Sequence, residues 1–374
     1  MGGAAAVGTS VIFAPWDEDN VGVYDTTTST FSTIDISGES SSGEAVATDR
    51  KYAGAAAVGN SVVFAPFNED NVGVLDTTTS TFSTIDISFF SIYGSKYAGA
   101  AAVGTSVFFA PYNEDNVGVY DTTTSTFSTI EINSDGNGIR YRGAAAVGNS
   151  VIFAPYNEDN VGVYDTTTST FSTIDTSGAG VTADYKYECA TAVGNSVYFT
   201  PSNEDNVGVY DTTTSTFSII DTSSVSTADA KYRGAAAVGN SVIFAPNNED
   251  NVGVYDTITS TFSTIDITAA GVTANRKYRG AAAVGTSVVF APYNEDTVGV
   301  LVLPPSPSPP APPPTPPEVA PVPTSSAGDD PTFIGADGLP YEVRGEAWKY
   351  FNLLSTPTLS LNAQFLPVPE RFVH

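Results

Sequence analysis

The sequence is poorest in histidine and thiol. Of 374 residues, one is a histidine, His374 at the very end, and one is a cysteine, Cys189. Ser-His and Cys-His relays, which place an imidazole beside the nucleophile, are therefore excluded from the body of the chain. A single thiol makes no intrachain disulfide. Basic residues are scarce too: 14 Lys and Arg stand against 41 Asp and Glu, a formal net charge of −27. Nucleic acid and anionic membrane surfaces select basic patches, so both are excluded as partners on this ground, whereas cations and basic surfaces suit the balance. No apolar run reaches the roughly 18 residues of a spanning helix, so no membrane insertion is expected. No leader is visible either. After Met1 the chain enters "GGAAAVG", already repeat sequence, and the expectation is that it begins inside a longer gene product.

What is present in abundance is one repeated unit. A Val-Gly pair after an alanine-rich run recurs at Val7, Val58, Val103, Val147, Val193, Val238 and Val284, about every 45 residues. One copy reads "YRGAAAVGNSVIFAPYNEDNVGVYDTTTSTFSTIDTS". Each copy divides into four short segments of strand character: "YRGAAAV" (a), "SVIFA" (b), "NVGVYD" (c) and "TFSTIDI" (d). They are separated by a Gly-Asn or Gly-Thr tight turn, a polar loop and a Thr-rich turn. Helical periodicity is missing throughout. Four strands per unit, seven times over, predict an all-β seven-bladed propeller; a solenoid of hairpins is the alternative. The small residues of segment a suit the crowded axis of a propeller. Phe64, Phe109, Phe153, Phe199, Phe244 and Phe290 of segment b are expected to fill the space between blades. The seventh copy stops at Leu303, before any segment d, so the last blade should lack its outer strand, with a further "TFSTID"-like segment expected upstream of Met1.

The segment "VGVYDTTTSTFSTID" resembles the kelch-type propeller repeat: an apolar strand, Tyr-Asp, a Thr-rich turn, then an aromatic opening the outer strand. The likeness departs where kelch repeats have Gly-Gly after strand b, because Ala154-Pro155 stands there, and where they have Trp, because Phe171 stands there. It implies the fold and transfers no site.

Strand parity places the a–b and c–d turns on one face, called upper here, and the b–c loops and d–a connections on the other. The upper turns are short and uniform, while the lower segments differ between copies, as "GESSSGEAVATDRK" and "FFSIYGSK" do. Function on a rigid scaffold falls to such loops. With the ends of strand d, the lower face carries 28 acidic and 11 basic residues, and is expected to attract cations. Its "NED" loops offer carboxylates at close spacing: Asp17, Asp19, Glu69, Asp70, Glu114, Asp115, Glu158, Asp159, Glu204, Asp205, Glu249 and Asp250. Two readings stand for them, calcium ligands and solvated polar turns; the alternating ligands and glycine of an EF-hand loop are absent. Otherwise no cofactor is expected.

Beside these loops one position varies in kind: Trp16, Phe67, Tyr112, Tyr156, Ser202, Asn247 and Tyr293. The aromatic members, Trp16, Phe67, Tyr112, Tyr156 and Tyr293, are candidates for binding a protein or glycan, because exposed rings cover apolar faces at low entropic cost. The competing reading is that they pack on the neighbouring blade. No catalytic residue is assigned. Asp-box motifs of sialidase-type propellers and the histidine copper ligands of galactose-oxidase-type propellers are missing, carboxylate pairs repeat in every blade, and no charged cluster unique to one blade is visible.

Beyond Leu303 the composition changes. Residues 304–328 open with "PPSPSPPAPPPTPPEVAPVP", an extended polyproline II spacer similar to the hydroxyproline-rich linkers of plant and green-algal extracellular glycoproteins. Residues 329–374 are similar to the opening of a von Willebrand type D or root-cap-type domain, at Asp330, Pro331, Phe333, Asp337, Gly338, Tyr341 and Gly345. Thr332 stands where that pattern has His, and the cysteines of the animal domains are absent. This segment is expected to be a small partial β module, marginal alone. The resulting layout is a propeller (1–303), a linker (304–328) and a partial module (329–374). The expected function is a non-enzymatic binding scaffold, extracellular or on the cell surface. An intracellular (cytoplasmic) kelch-like interaction scaffold and a propeller-fold hydrolase or lyase remain as alternatives, and the oligomeric state is open.

Overall fold

A computed structural model describes residues 1–38, 49–90, 94–132, 138–304, 332–334, 340–342, 350–356 and 359–364, with side chains up to residue 304. The chain divides into two units, Met1–Ser306 and Pro307–His374, and each is described by itself.

The first unit is a seven-bladed propeller: six four-stranded antiparallel sheets, each in the order a-b-c-d, and a seventh of three strands. The fourth blade serves as the type: a Tyr141–Val147, b Ser150–Pro155, c Asn160–Asp165, d Thr170–Asp175. Turn chemistry sets these limits. Strand a turns into b through two residues, with Gly148 at φ 58°, a conformation a tight hairpin turn requires and glycine adopts without cost. Strand c turns into d around Asp165, whose Oδ1 accepts from the backbone N–H groups of Thr167 (2.7 Å) and Thr168 (3.1 Å). In this turn Ser169 is left-handed, at φ 57°.

The core lies between blades. Phe108, Ala110 and Val117 of blade 3 share one cluster with Tyr141, Val151, Phe153 and Tyr164 of blade 4, and the pattern repeats around the ring. The six phenylalanines of strand b fill this space as expected, all 3 % exposed or less. Strand a is small because neighbouring copies nearly touch. A Cβ added at Gly143 would lie 2.6 Å from the backbone of Cys189 and Ala190, and one at Gly99 would lie 2.6 Å from the Arg142 carbonyl.

The ring closes without strand exchange. Val11 and Phe13 of blade 1 share a cluster with Ala282, Val289 and Ala291 of blade 7. Blade 7 ends at its third strand, Gly299–Val302. Among the described residues no fourth strand pairs with it, and Val300 and Val302 are exposed on that edge.

In the second unit, Thr332–Ile334 pairs with Pro340–Glu342, and Tyr350–Thr356 pairs with Leu359–Gln364, both antiparallel. Phe333 and Tyr341 are register partners. Asp330, Pro331, Asp337, Gly338, Gly345 and the proline-rich residues 305–328 lie outside the described residues.

Candidate binding site at the axial mouth

In five blades strand a opens with Tyr-x-Gly, while blade 5 has Tyr187-Glu188-Cys189 and blade 1 has Met1-Gly2-Gly3; two positions of that tripeptide have different duties. The tyrosine is structural. Tyr97 and Tyr187 donate their hydroxyls to Asn116 and Asn206 Oδ1 of their own blade's strand c (both 2.5 Å), and Tyr52, Tyr141 and Tyr232 make the same bond. Burial, then the nearby Glu204, raises the Tyr187 phenol well above its ordinary value, so it stays a neutral donor.

The x position faces the axis, and it breaks the seven-fold repeat. It reads Gly2, Ala53, Ala98, Arg142, Glu188, Arg233 and Arg279 around the ring. From Ala53 onward these residues line a cavity of about 170 Å³ at the lower end of the axial channel, with Cys189 and the small residues of strand a completing its wall. Farther up, the channel is walled by three layers of alanine, interrupted by Thr191.

Charge and bulk are shared between x and the aromatic position after strand b. Where x is Gly or Ala, a large ring occupies the space: Trp16 packs on Phe67 at 4.9 Å between centroids, and Phe67 on Tyr112 at 5.2 Å. Tyr156 continues the arc at 5.9 Å. Beside Glu188 and Arg233 the rings give way to Ser202 and Asn247. The mouth thus has an aromatic half and a charged half. Trp16, Phe67 and Tyr156 are buried, and Tyr112 and Tyr293 are partly buried. The rings therefore pack on one another and against the residues that line the cavity, and they are not exposed as the binding reading of the sequence assumed.

Within the charged half, Glu188 bridges two arginines, Arg142 Nε at 2.7 Å and Arg233 Nε at 3.3 Å. Arg142 also donates to the Tyr156 hydroxyl at 2.7 Å. Burial pushes the Glu188 carboxyl up, but Arg142, then Arg233 and Arg279, outweigh it and hold it below the ordinary range. Arg279 lies over the Trp16 ring, 3.3 Å from its centroid, with Tyr293 at 5.5 Å. Burial, then repulsion from Arg233 and Arg142, works against its charge more than Glu188 supports it. Three guanidiniums and one carboxylate leave a surplus of two positive charges at the centre of a face that is acidic overall.

The "NED" loops form a second ring outside the mouth, and here the same contacts repeat at six of the seven seams between blades. A buried Lys precedes the tyrosine of strand a and pairs with the loop Asp of the preceding blade: Lys51 with Asp19, Lys96 with Asp70, Lys186 with Asp159, Lys231 with Asp205 and Lys277 with Asp250, at 2.8–3.0 Å. Arg140 takes this place against Asp115. The loop glutamates Glu69, Glu158, Glu204 and Glu249 accept from the Asn two residues on, at 3.1–3.3 Å. Glu114 is buried beside the equivalent Asn116. Asp17 accepts from the Arg50 N–H. Of the carboxylates considered as calcium ligands, Asp19, Asp70, Asp115, Asp159, Asp205 and Asp250 thus hold a cation of the next blade, while Glu69, Glu158, Glu204 and Glu249 brace their own loops. Among the described residues no group of three or more His, Cys, Asp or Glu is placed to hold a metal ion.

The charged half was missed in the sequence because its members sit in four different repeats, 45–46 residues apart. Setting the seven copies in register and asking which column changes charge would have found it.

No family model and no curated protein matches the chain. Solved structures share its fold. U3-55K is 9 % identical with a TM-score of 0.60, covering 80 % of this chain and 94 % of that one. The WD40 repeats of RRP9 are 9 % identical with a TM-score of 0.57, covering 78 % and 87 %. A catalytically inactive virginiamycin B lyase from Staphylococcus aureus, solved with quinupristin, is 14 % identical with a TM-score of 0.55, covering 67 % and 80 %. At such identities the likeness is one of fold alone.

Proposed function

We propose that this chain is a non-enzymatic binding scaffold, extracellular or on the cell surface, that takes a protein or carbohydrate ligand on its lower face, around the axial mouth. One observation carries the reading: an arc of aromatic side chains borders a polar cavity at the point where otherwise near-identical repeats diverge. The strands of the repeats are otherwise nearly identical, so the change of charge and bulk at these two columns, beside the variable d–a loops of the same face, fits selection for a ligand. Propellers in the WD40 class supply rigid platforms of this kind. The kelch-like pattern of the repeats, the proline-rich spacer and the von Willebrand type D-like segment belong to the same reading and favour an extracellular setting.

The chemistry at the mouth favours binding over catalysis. Glu188 is held by two guanidiniums and is no free base. Burial raises the Cys189 thiol above its ordinary value, offset only in part by backbone hydrogen bonds, so it is a poor nucleophile at neutral pH. The test is a glycan and peptide array probed with the full chain and with Tyr112→Ala and Tyr156→Ala. Binding weakened by roughly tenfold or more in either variant, a typical loss for a ring at the centre of an interface, supports the reading. Unchanged binding in both, or no binding by the parent, overturns it.

A further inference from the structure

The outer ring gives each of its buried cations a carboxylate, but the mouth does not do so for Arg279. This side chain is 8 % exposed and lines the cavity. Among the described residues its contacts are ring faces, Trp16 and Tyr293, and no hydrogen bond or ion pair reaches its guanidinium. A ring face meets a guanidinium from above and leaves the in-plane N–H fork without acceptors. The nitrogens of Arg279 are not among the fully buried side-chain atoms that lack a partner, so the fork opens into the cavity, where arginine keeps its charge and an anion can reach it. Arg142 and Arg233 spend their Nε groups on Glu188, and among the described residues one of their terminal N–H groups, on Arg142, has a partner, the Tyr156 hydroxyl.

We propose that the charged half of the mouth is a site for a small organic dianion, a phosphate monoester or a compact dicarboxylate, with Arg279 as its principal anchor and Arg233 and Arg142 as the second and third. The surplus of two positive charges sets the ligand's charge. The planar forks set its chemistry, because carboxylate and phosphate oxygens meet a guanidinium in pairs. The cavity of about 170 Å³ sets its size, well below the several hundred Å³ of pockets that enclose a drug-sized ligand. The acidic surroundings repel a polyanion, so a nucleic acid is not the occupant. This inference rests on the reading of the mouth as the ligand-taking end and adds the ligand's chemistry.

The experiment is calorimetric titration of the full chain at low ionic strength and pH 7.5, where a phosphate monoester is largely dianionic. The probes are phenyl phosphate, inorganic phosphate, succinate and acetate. Phenyl phosphate or succinate is expected to bind, and acetate at least about tenfold more weakly. Arg279→Gln should weaken the dianion by about tenfold or more, the usual order for a lost charged hydrogen-bond pair, and Glu188→Gln should strengthen it. Because Arg279 also stacks across the seam between blades 7 and 1, Arg233→Gln repeats the test away from that seam, and melting temperatures confirm that each variant is folded. Absence of heat with all the dianions, acetate binding as tight as the dianions, or parental affinity in both arginine variants would each overturn the site. Array binding without anion binding would remove this site and leave the scaffold reading intact; anion binding with empty arrays would do the reverse.

Discussion

The lower face carries two concentric rings of buried charge that obey different rules. In the outer ring, Lys51, Lys96, Lys186, Lys231 and Lys277 are all but fully buried, and each has an Asp of the preceding blade within 3.0 Å. In the inner ring, Glu188 pairs with Arg142 and Arg233, and among the described residues Arg279 has no carboxylate partner. The outer ring repeats because six of the seven seams use the same clasp. The inner ring does not repeat, and it is left electrostatically incomplete. In a protein of near-identical copies, matched charge marks architecture and unmatched charge marks a place for something else.

Changes to the outer ring should have the largest effect on stability, and the two partners should differ. Asp205→Ala leaves a buried ammonium facing only carbonyl oxygens and is expected to cost about 3 kcal/mol. Lys231→Met removes the buried charge and leaves an aspartate whose side chain is 43 % exposed although its Oδ1 is buried; the carboxylate keeps water on its exposed side, so a smaller cost, about 1–2 kcal/mol, is expected. Urea unfolding of both variants checks the order, and equal losses would break the distinction drawn between the partners.

Close approach of the inner strands should come next. Gly99→Ala places a methyl against the Arg142 carbonyl and is expected to destabilise by about 2 kcal/mol through overpacking. A melting temperature equal to that of the parent would show that the ring gives way at no cost.

Glu188 predicts a pH dependence confined to the inner ring. Its folded pKa lies below its unfolded value, so the unfolded chain binds the proton more readily. The stabilisation is fully present above the unfolded value near 4.5 and is lost as pH falls through the lower, folded value. Comparing melting temperatures of the parent and Glu188→Gln between pH 6 and pH 3 should show the gap narrowing towards acid. A gap that stays constant contradicts the assignment.

The smallest effect concerns the upper face, where the same turn recurs six times. Ser169 holds a left-handed backbone that asparagine tolerates better, so Ser169→Asn should stabilise by roughly 0.5 kcal/mol. The same change made in several copies should add, since the turns are far apart.

Much of the fold was legible in the sequence, for a local reason. Gly148 marks a tight turn, Asp165 with its threonines marks another, and alternating apolar residues between them mark strands; seven copies leave few arrangements but a ring. The phenylalanines of strand b were legible as the filling between blades because bulk next to alanine has few other places to go. The site was less legible. The "NED" carboxylates looked like ligands because sequence shows acids close together and cannot show the lysine that arrives from the next blade, 26–32 residues on. The aromatic column was visible, yet its burial was not, since Trp16 and Phe67 cover each other only once the blades stand side by side.

The sequence by itself determined the repeat, the strand boundaries, the seven-fold count and the missing outer strand of the last blade, because hydrogen bonding within a blade depends on residues near one another in the chain. Only the tertiary structure decided which charges meet. Arg142, Glu188, Arg233 and Arg279 belong to four blades and converge because the ring brings the second residue of each inner strand to one axis, and there Arg279 arrives without a carboxylate of its own.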